Sequence, residues 1–159
     1  MKKINLLIIL LTILLFTSCG VDKDLVFKNN DKIIPQDFGA KKSTILVVKY
    51  GKRGIDKYII KGFEKNYQGD FIVVEREDLY SNQYKDFQKY RYEFTLEDDY
   101  RPGSFVAGGR QGQEFNYNAN LTDRVKGKIY KTIKSTNNFG DLVAAYAKQL
   151  NEIRIQNEK

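Results

Sequence analysis

Histidine and tryptophan are absent from this 159-residue chain, and cysteine occurs once. Without histidine there is no His-based catalytic triad, no zinc site of the usual kind and no ready proton shuttle at neutral pH. A single cysteine allows neither a disulfide within the monomer nor a Cys-x-x-Cys redox pair. No internal repeat and no low-complexity segment is seen. The longest apolar run, Ile4 to Phe16, has 13 residues, whereas a membrane-spanning helix needs about 20. What the chain does have is charge: 27 Lys and Arg against 20 Asp and Glu, net +7. A modest positive balance suits a surface facing anionic lipid or cell-wall polymer, but by itself names no partner.

The one cysteine, Cys19, follows that apolar run directly. Lys2 and Lys3 make a positive n-region, Ile4 to Phe16 a signal-peptide h-region, and Thr17 and Ser18 are the small residues before a cut. Phe16-Thr17-Ser18-Cys19 resembles the lipobox of bacterial lipoproteins, with Phe16 where Leu is commonest. The resemblance implies cleavage before Cys19 and lipid on its sulfur. A thioether is neither nucleophile nor metal ligand, and the two or three chains of such lipoproteins anchor a protein essentially permanently. Removing residues 1–18 from the 159 leaves 141, enough for one domain, and lowers the net charge from +7 to +5 as Lys2 and Lys3 leave. The organisation expected is a signal peptide (1–18), a lipidated Cys19 with a polar tether (19–41), one domain (42–155) and a fraying end (156–159). Ile33, Ile34, Pro35 and Phe38 are placed to dock the end of the tether.

Thr44 to Tyr50 (T-I-L-V-V-K-Y) reads as a covered central strand. Ile55 to Tyr67 carries Ile55, Tyr58, Ile59, Gly62, Phe63 and Tyr67 at helical spacing, with Gly69 as the stop. Phe71 to Glu75 is a second strand, so the first two strands should be parallel. Period-two alternation follows. Tyr90, Tyr92, Phe94 and Leu96 share one face of a strand, and Phe115, Tyr117, Ala119 and Leu121 one face of another. The other faces, Arg91, Glu93, Thr95 and Glu97 on one strand and Glu114, Asn116, Asn118 and Asn120 on the other, are expected to face water. Asp98 to Gln113 is read as a long Gly-rich loop, Lys128 to Ser135 as a last strand after a turn at Gly127, and the end of the chain as a closing helix capped by Asn137 or Asn138. The fold class predicted is α+β, a two-layer sandwich of order β-α-β-β-β-β-α, with a mixed five-stranded sheet and two helices on one face. A thioredoxin-like fold competes, but Leu79 to Lys89 holds only a short extra helix.

These segments, from Lys42 to Gln149, look like a group of small bacterial lipoproteins. They are also similar in arrangement to the N-terminal domain of the Tol-system periplasmic protein, to curli-secretion lipoproteins and to lipoprotein activators of penicillin-binding proteins. The resemblance implies a non-enzymatic domain that binds or assembles other envelope proteins, and it carries over no site residues.

Candidate chemistry is sparse. Asp98 and Asp99, with Glu97, stand at the mouth of the loop, and Glu75, Glu77 and Asp78 follow the second strand. A carboxylate pair in a cleft can hydrolyse a glycoside. Lys52 and Arg53 lie where the first strand feeds a helix N-terminus, a place suited to an anion, although Gly51 to Gly54 is no P-loop. Tyr58, Tyr67 and Tyr146 are read as core, and Tyr80, Tyr84 and Tyr100 as exposed. The long loop is the main candidate for recognition, with Arg101, Phe105 and Arg110 suited to a protein or an acidic ligand. The function expected is a non-catalytic envelope lipoprotein, held on the periplasmic side or cell surface by lipid on Cys19. It is expected to use no metal or cofactor, to bind an envelope protein and not nucleic acid. An anionic-glycan (cell-wall) module and a small carboxylate-based hydrolase are the alternatives.

Overall fold

The structure is a computed structural model and describes residues 33–101, 105–106, 109–110, 114–132 and 136–158. Cys19 lies outside the described residues. The β-branched run Ile45–Val48 forms β1, buried on both faces. Helix α1 (Arg53–Asn66) buries Ile55, Ile59, Gly62 and Phe63, the stripe its periodicity predicts. Strand β2 (Phe71–Val74) follows. Then come β3 (Tyr92–Arg101), a short hairpin of β4 (Phe105–Val106) and β5 (Gly109–Arg110), β6 (Glu114–Asp123) and β7 (Lys128–Lys131). Helix α2 (Phe139–Asn157) closes the chain.

The sheet has the order β2-β1-β3-β6-β7. Strand β1 is parallel to both neighbours, with Val47 opposite Val73 on one side and Phe94 on the other. Strands β3 and β6 are antiparallel over ten residue pairs, and β6 pairs antiparallel with β7. This is the mixed five-stranded α+β sandwich predicted. Gly127, at φ +63°, makes the β6–β7 turn expected of it.

Both helices cover one face. Ile45, Val47, Tyr92, Phe94, Leu96, Ala119 and Leu121 meet Ile59, Phe63, Leu142, Val143 and Tyr146 in the main core. The helices run parallel, since contacts rise together along them: Tyr58 lies by Gly140, Gly62 by Val143, and the Gln68 amide donates to Asn151 at 3.0 Å. A Cβ on Gly62 would stand 2.7 Å from Val143 Cγ1, so a side chain there would push the helices apart. Helix α1 ends with Tyr67 in an extended conformation, its amide bonded to Phe63, and not on Gly69, which has no positive φ.

The other face departs from the sequence reading. Leu79, Tyr84 and Tyr90, carried by the segment between β2 and β3, pack on Leu46, Val48 and Val74 as a second core. Tyr84 is therefore buried and not exposed. Tyr90 sits apart from Tyr92 because a turn breaks the alternation before β3 begins. Glu93, Thr95, Asn118 and Asn120, expected to be wet, are 9%, 8%, 5% and 2% exposed. Lys131 on β7 and Glu97 on β3 flank β6 and pair at 3.5 Å, across the strand that carries Asn118 and Asn120. Burial pushes the Glu93 carboxyl above its usual range, against the pull of Arg124 and Arg76.

Ile33, Ile34 and Phe38 are 0–1% exposed and belong to the main core. Tyr146 donates to the Ile33 carbonyl at 2.8 Å. Helix α2 runs through Asn157, whose side-chain amide donates to the carbonyls of Gln36 (2.9 Å) and Phe38 (2.7 Å). Among the described residues no helix is long and apolar enough to cross a membrane.

Candidate functional site

The carboxyl ends of β1, β2 and β3 and the N-termini of both helices lie at one end of the sandwich. Ligands of open α/β sheets collect at such ends. Here β3 and β6 outrun their neighbours. The residues Asp98 to Arg101, read from sequence as loop, continue β3 in register with Glu114 to Tyr117. Strand alternation carries the helix-side face of this extension from Leu96 to Asp98 and Tyr100, opposite Tyr117 and Phe115.

The result is an aromatic surface. Tyr100 and Phe115 touch at 5.2 Å between centroids while 48% and 54% exposed. Tyr117 meets Phe139 at 5.2 Å and Tyr50 at 6.1 Å, both edge-on. Phe139 in turn meets Tyr58 at 5.4 Å. Tyr58, taken for core, is 54% exposed, because it sits where the α1 stripe reaches the start of α2. The Tyr50 hydroxyl donates to the Asp98 carboxylate. Burial, then that carboxylate, raise the Tyr50 pKa, so the phenol stays a neutral donor. The Lys52 ammonium lies 5.4 Å from the Tyr50 ring centroid. Asn138 caps α2 by accepting from the Asp141 amide at 3.2 Å, which fixes Phe139 at the edge of the surface.

The anion-binding turn is filled from within. Asp56 accepts from the amides of Tyr50 (2.7 Å) and Gly51 (3.2 Å), the donors an anion would need. Lys49 donates to Glu75, which raises the lysine's pKa. Lys52 and Arg53 stand exposed beside this turn. Arg101 is seven residues beyond Phe94, the partner of Val47, and so about 23 Å further along the sheet. Phe105 and Arg110 are register partners in the β4–β5 hairpin. The five sequence-predicted residues thus divide among the turn before α1, the end of β3 and the β4–β5 hairpin. Of their loop, 102–104, 107–108 and 111–113 lie outside the described residues.

The carboxylates do not converge. Asp98 and Asp99 are neighbours on a strand and project to opposite faces, and Glu75 is held by Lys49. Among the described residues no group of three or more His, Cys, Asp or Glu is placed to hold a metal.

The opposite end is a polar clamp. Arg91 bonds Asp123 (2.7 Å) and Asp37 (2.8 Å), and Lys126 bonds Asp37 at 2.9 Å. The Lys126 hydrogen bond outweighs burial and, with Arg91, lowers the Asp37 pKa to about 2. Burial alone would raise the Asp123 carboxyl. Hydrogen bonds from Arg91 and from the Lys126 and Val125 amides hold it below the usual range instead. This clamp fastens residues 33–38 to the β6–β7 turn.

No family model and no curated protein matches the sequence. Solved structures with a similar chain include a methionine-substituted PelC dodecamer from Paraburkholderia phytofirmans. It is 10% identical over 69% of this chain and 88% of that one, at a TM-score of 0.39. A PelC dodecamer from the same organism in another crystal form gives 8% identity, 73% and 89% coverage, and a TM-score of 0.38. At that distance neither bears on what this chain does.

Proposed function

We propose that this chain is a non-catalytic, lipid-anchored envelope protein that docks to another envelope protein through its aromatic end. The observation that carries the docking reading is the exposed Tyr100–Phe115 pair on the β3–β6 extension, continuous with Tyr117, Phe139 and Tyr58. Aromatic side chains that remain exposed on a rigid sheet are the type of residue that dominates binding energy at protein interfaces. The anchoring reading rests on the lipobox at Cys19 alone. The separation of Asp98 from Asp99 supports a binding role over carboxylate hydrolysis.

Crosslinking in cells followed by capture of the tagged protein tests this. The wild type should yield a discrete partner, and Tyr100→Ala with Phe115→Ala should lose it while keeping the melting temperature. An unchanged partner in the double variant would move the site elsewhere. Cys19→Ser should shift the protein out of the membrane fraction and abolish its acyl mass; retention in the membrane would refute the anchor.

A further inference from the structure

The clamp end is also the end at which the chain from Cys19 enters the fold. Residues 19–32 precede Ile33, and those fourteen residues reach about 50 Å at most. Here the β6–β7 turn stands clear: a Cβ on Gly127 would meet nothing within 4 Å. Asp123 accepts from the Val125 and Lys126 amides at 3.1 and 3.2 Å, so the tip is braced and those backbone donors are satisfied. Its side chains mix two kinds. Val125 is 43% exposed between Arg124 and Lys126, and Ile129 is 62% exposed beside Lys128. Phe87, 43% exposed, adjoins them, with the Arg124 guanidinium 4.3 Å from its ring centroid. The charge is lopsided. The loops of this end, 37–42, 86–91 and 123–128, hold seven Lys and Arg against three Asp, every carboxylate counted at full charge. Asp70, Arg154 and Glu158 lie at the same end and bring the count to eight against five. Lys41, Lys89 and Lys128 are exposed and have no ion pair among the described residues.

We infer that this end rests on an anionic lipid surface, with Val125 and Ile129 at the boundary between headgroups and acyl chains and the unpaired lysines on the headgroups. Apolar and cationic side chains mixed at one tip match a layer that is charged outside and apolar beneath. A soluble acidic polymer offers Val125 and Ile129 nothing to enter. The inference rests on the anchoring reading for one point, that Cys19 holds this end within reach of a bilayer. It leaves the aromatic end facing away from the membrane, open to the partner proposed for it.

The chain has no tryptophan, so Val125→Trp supplies a single fluorescent reporter. The full-length variant is reconstituted in vesicles with brominated acyl chains, with and without phosphatidylglycerol. With phosphatidylglycerol its emission should be quenched and shifted to the blue, while Tyr100→Trp at the far end should show neither change. Added salt should reduce the quenching. Lys41→Gln, Lys89→Gln and Lys128→Gln together should bring it down to the level of Tyr100→Trp without loss of the thermal transition. Three results overturn the inference: Val125→Trp quenched no more than Tyr100→Trp, equal quenching without phosphatidylglycerol, or quenching untouched by the three Gln substitutions. The acyl mass on Cys19, measured on the same sample, separates the two readings. Acylated protein without quenching sinks this inference and keeps the anchor, and quenched protein without acyl mass does the reverse.

Discussion

The two ends of the sandwich are made of opposite materials. At the clamp end, charged groups face inward and satisfy one another: Asp123 is 0% exposed and held by Arg91, with Asp37 and Lys126 outside it. At the aromatic end, Tyr58, Tyr100 and Phe115 stand about half exposed, on a row of rings whose inner members, Tyr50, Tyr117 and Phe139, rest on the main core. Buried ion pairs are costly to break because the surviving charge is stranded. Exposed rings cost the fold little when removed and cost a partner much. Stability and recognition are therefore separated in space.

Breaking the clamp should have the largest effect. Arg91→Ala strands the Asp123 carboxylate and should cost about 3–5 kcal/mol in urea unfolding; a loss under about 1 kcal/mol would mean the clamp is ornamental. Asp37→Asn should matter less and depend on pH. The Asp37 carboxyl is held at about 2, below its ordinary 3.8, so its contribution is present above pH 4 and lost as the pH falls towards 2. The gap in melting temperature between wild type and Asp37→Asn should close over that window, and a constant gap would exclude the ion pairs as its source. Glu93→Gln runs the other way. A carboxyl raised by burial weakens the fold once ionised, so the variant should be more stable at pH 7. That gain should fade as the pH drops to the ordinary glutamate range, where both side chains are neutral. The smallest effect belongs to the aromatic end: Tyr100→Ala with Phe115→Ala should shift stability by less than about 1 kcal/mol.

The sequence made the order of elements legible because β1 is a β-branched run and α1 has a clean 3.6-residue stripe. Parallel pairing of β1 and β2 followed from the helix between them. The candidate site was harder to read. Asp98, Asp99 and Arg101 look like loop residues, yet the alternation simply continues past Glu97, and Tyr100 opposite Phe115 was the available signal. Tyr84 and Tyr90 were misplaced because the segment before β3 is irregular and has no period to read. Nothing in the polarity of Glu93, Asn118 and Asn120 announces burial, since it arises from neighbouring strands and from the segment after β2.

The clasp at residues 33–38 also fixes how the domain meets mechanical load. Any pull on the chain before Ile33 reaches the fold beside the middle of α2, through the Tyr146 bond to the Ile33 carbonyl. From there the load divides between the Asp37 ion pairs and the Asn157 bonds to Gln36 and Phe38. None of these attachments lies on the β3–β6 extension, so the far end keeps its shape while the near end carries the strain.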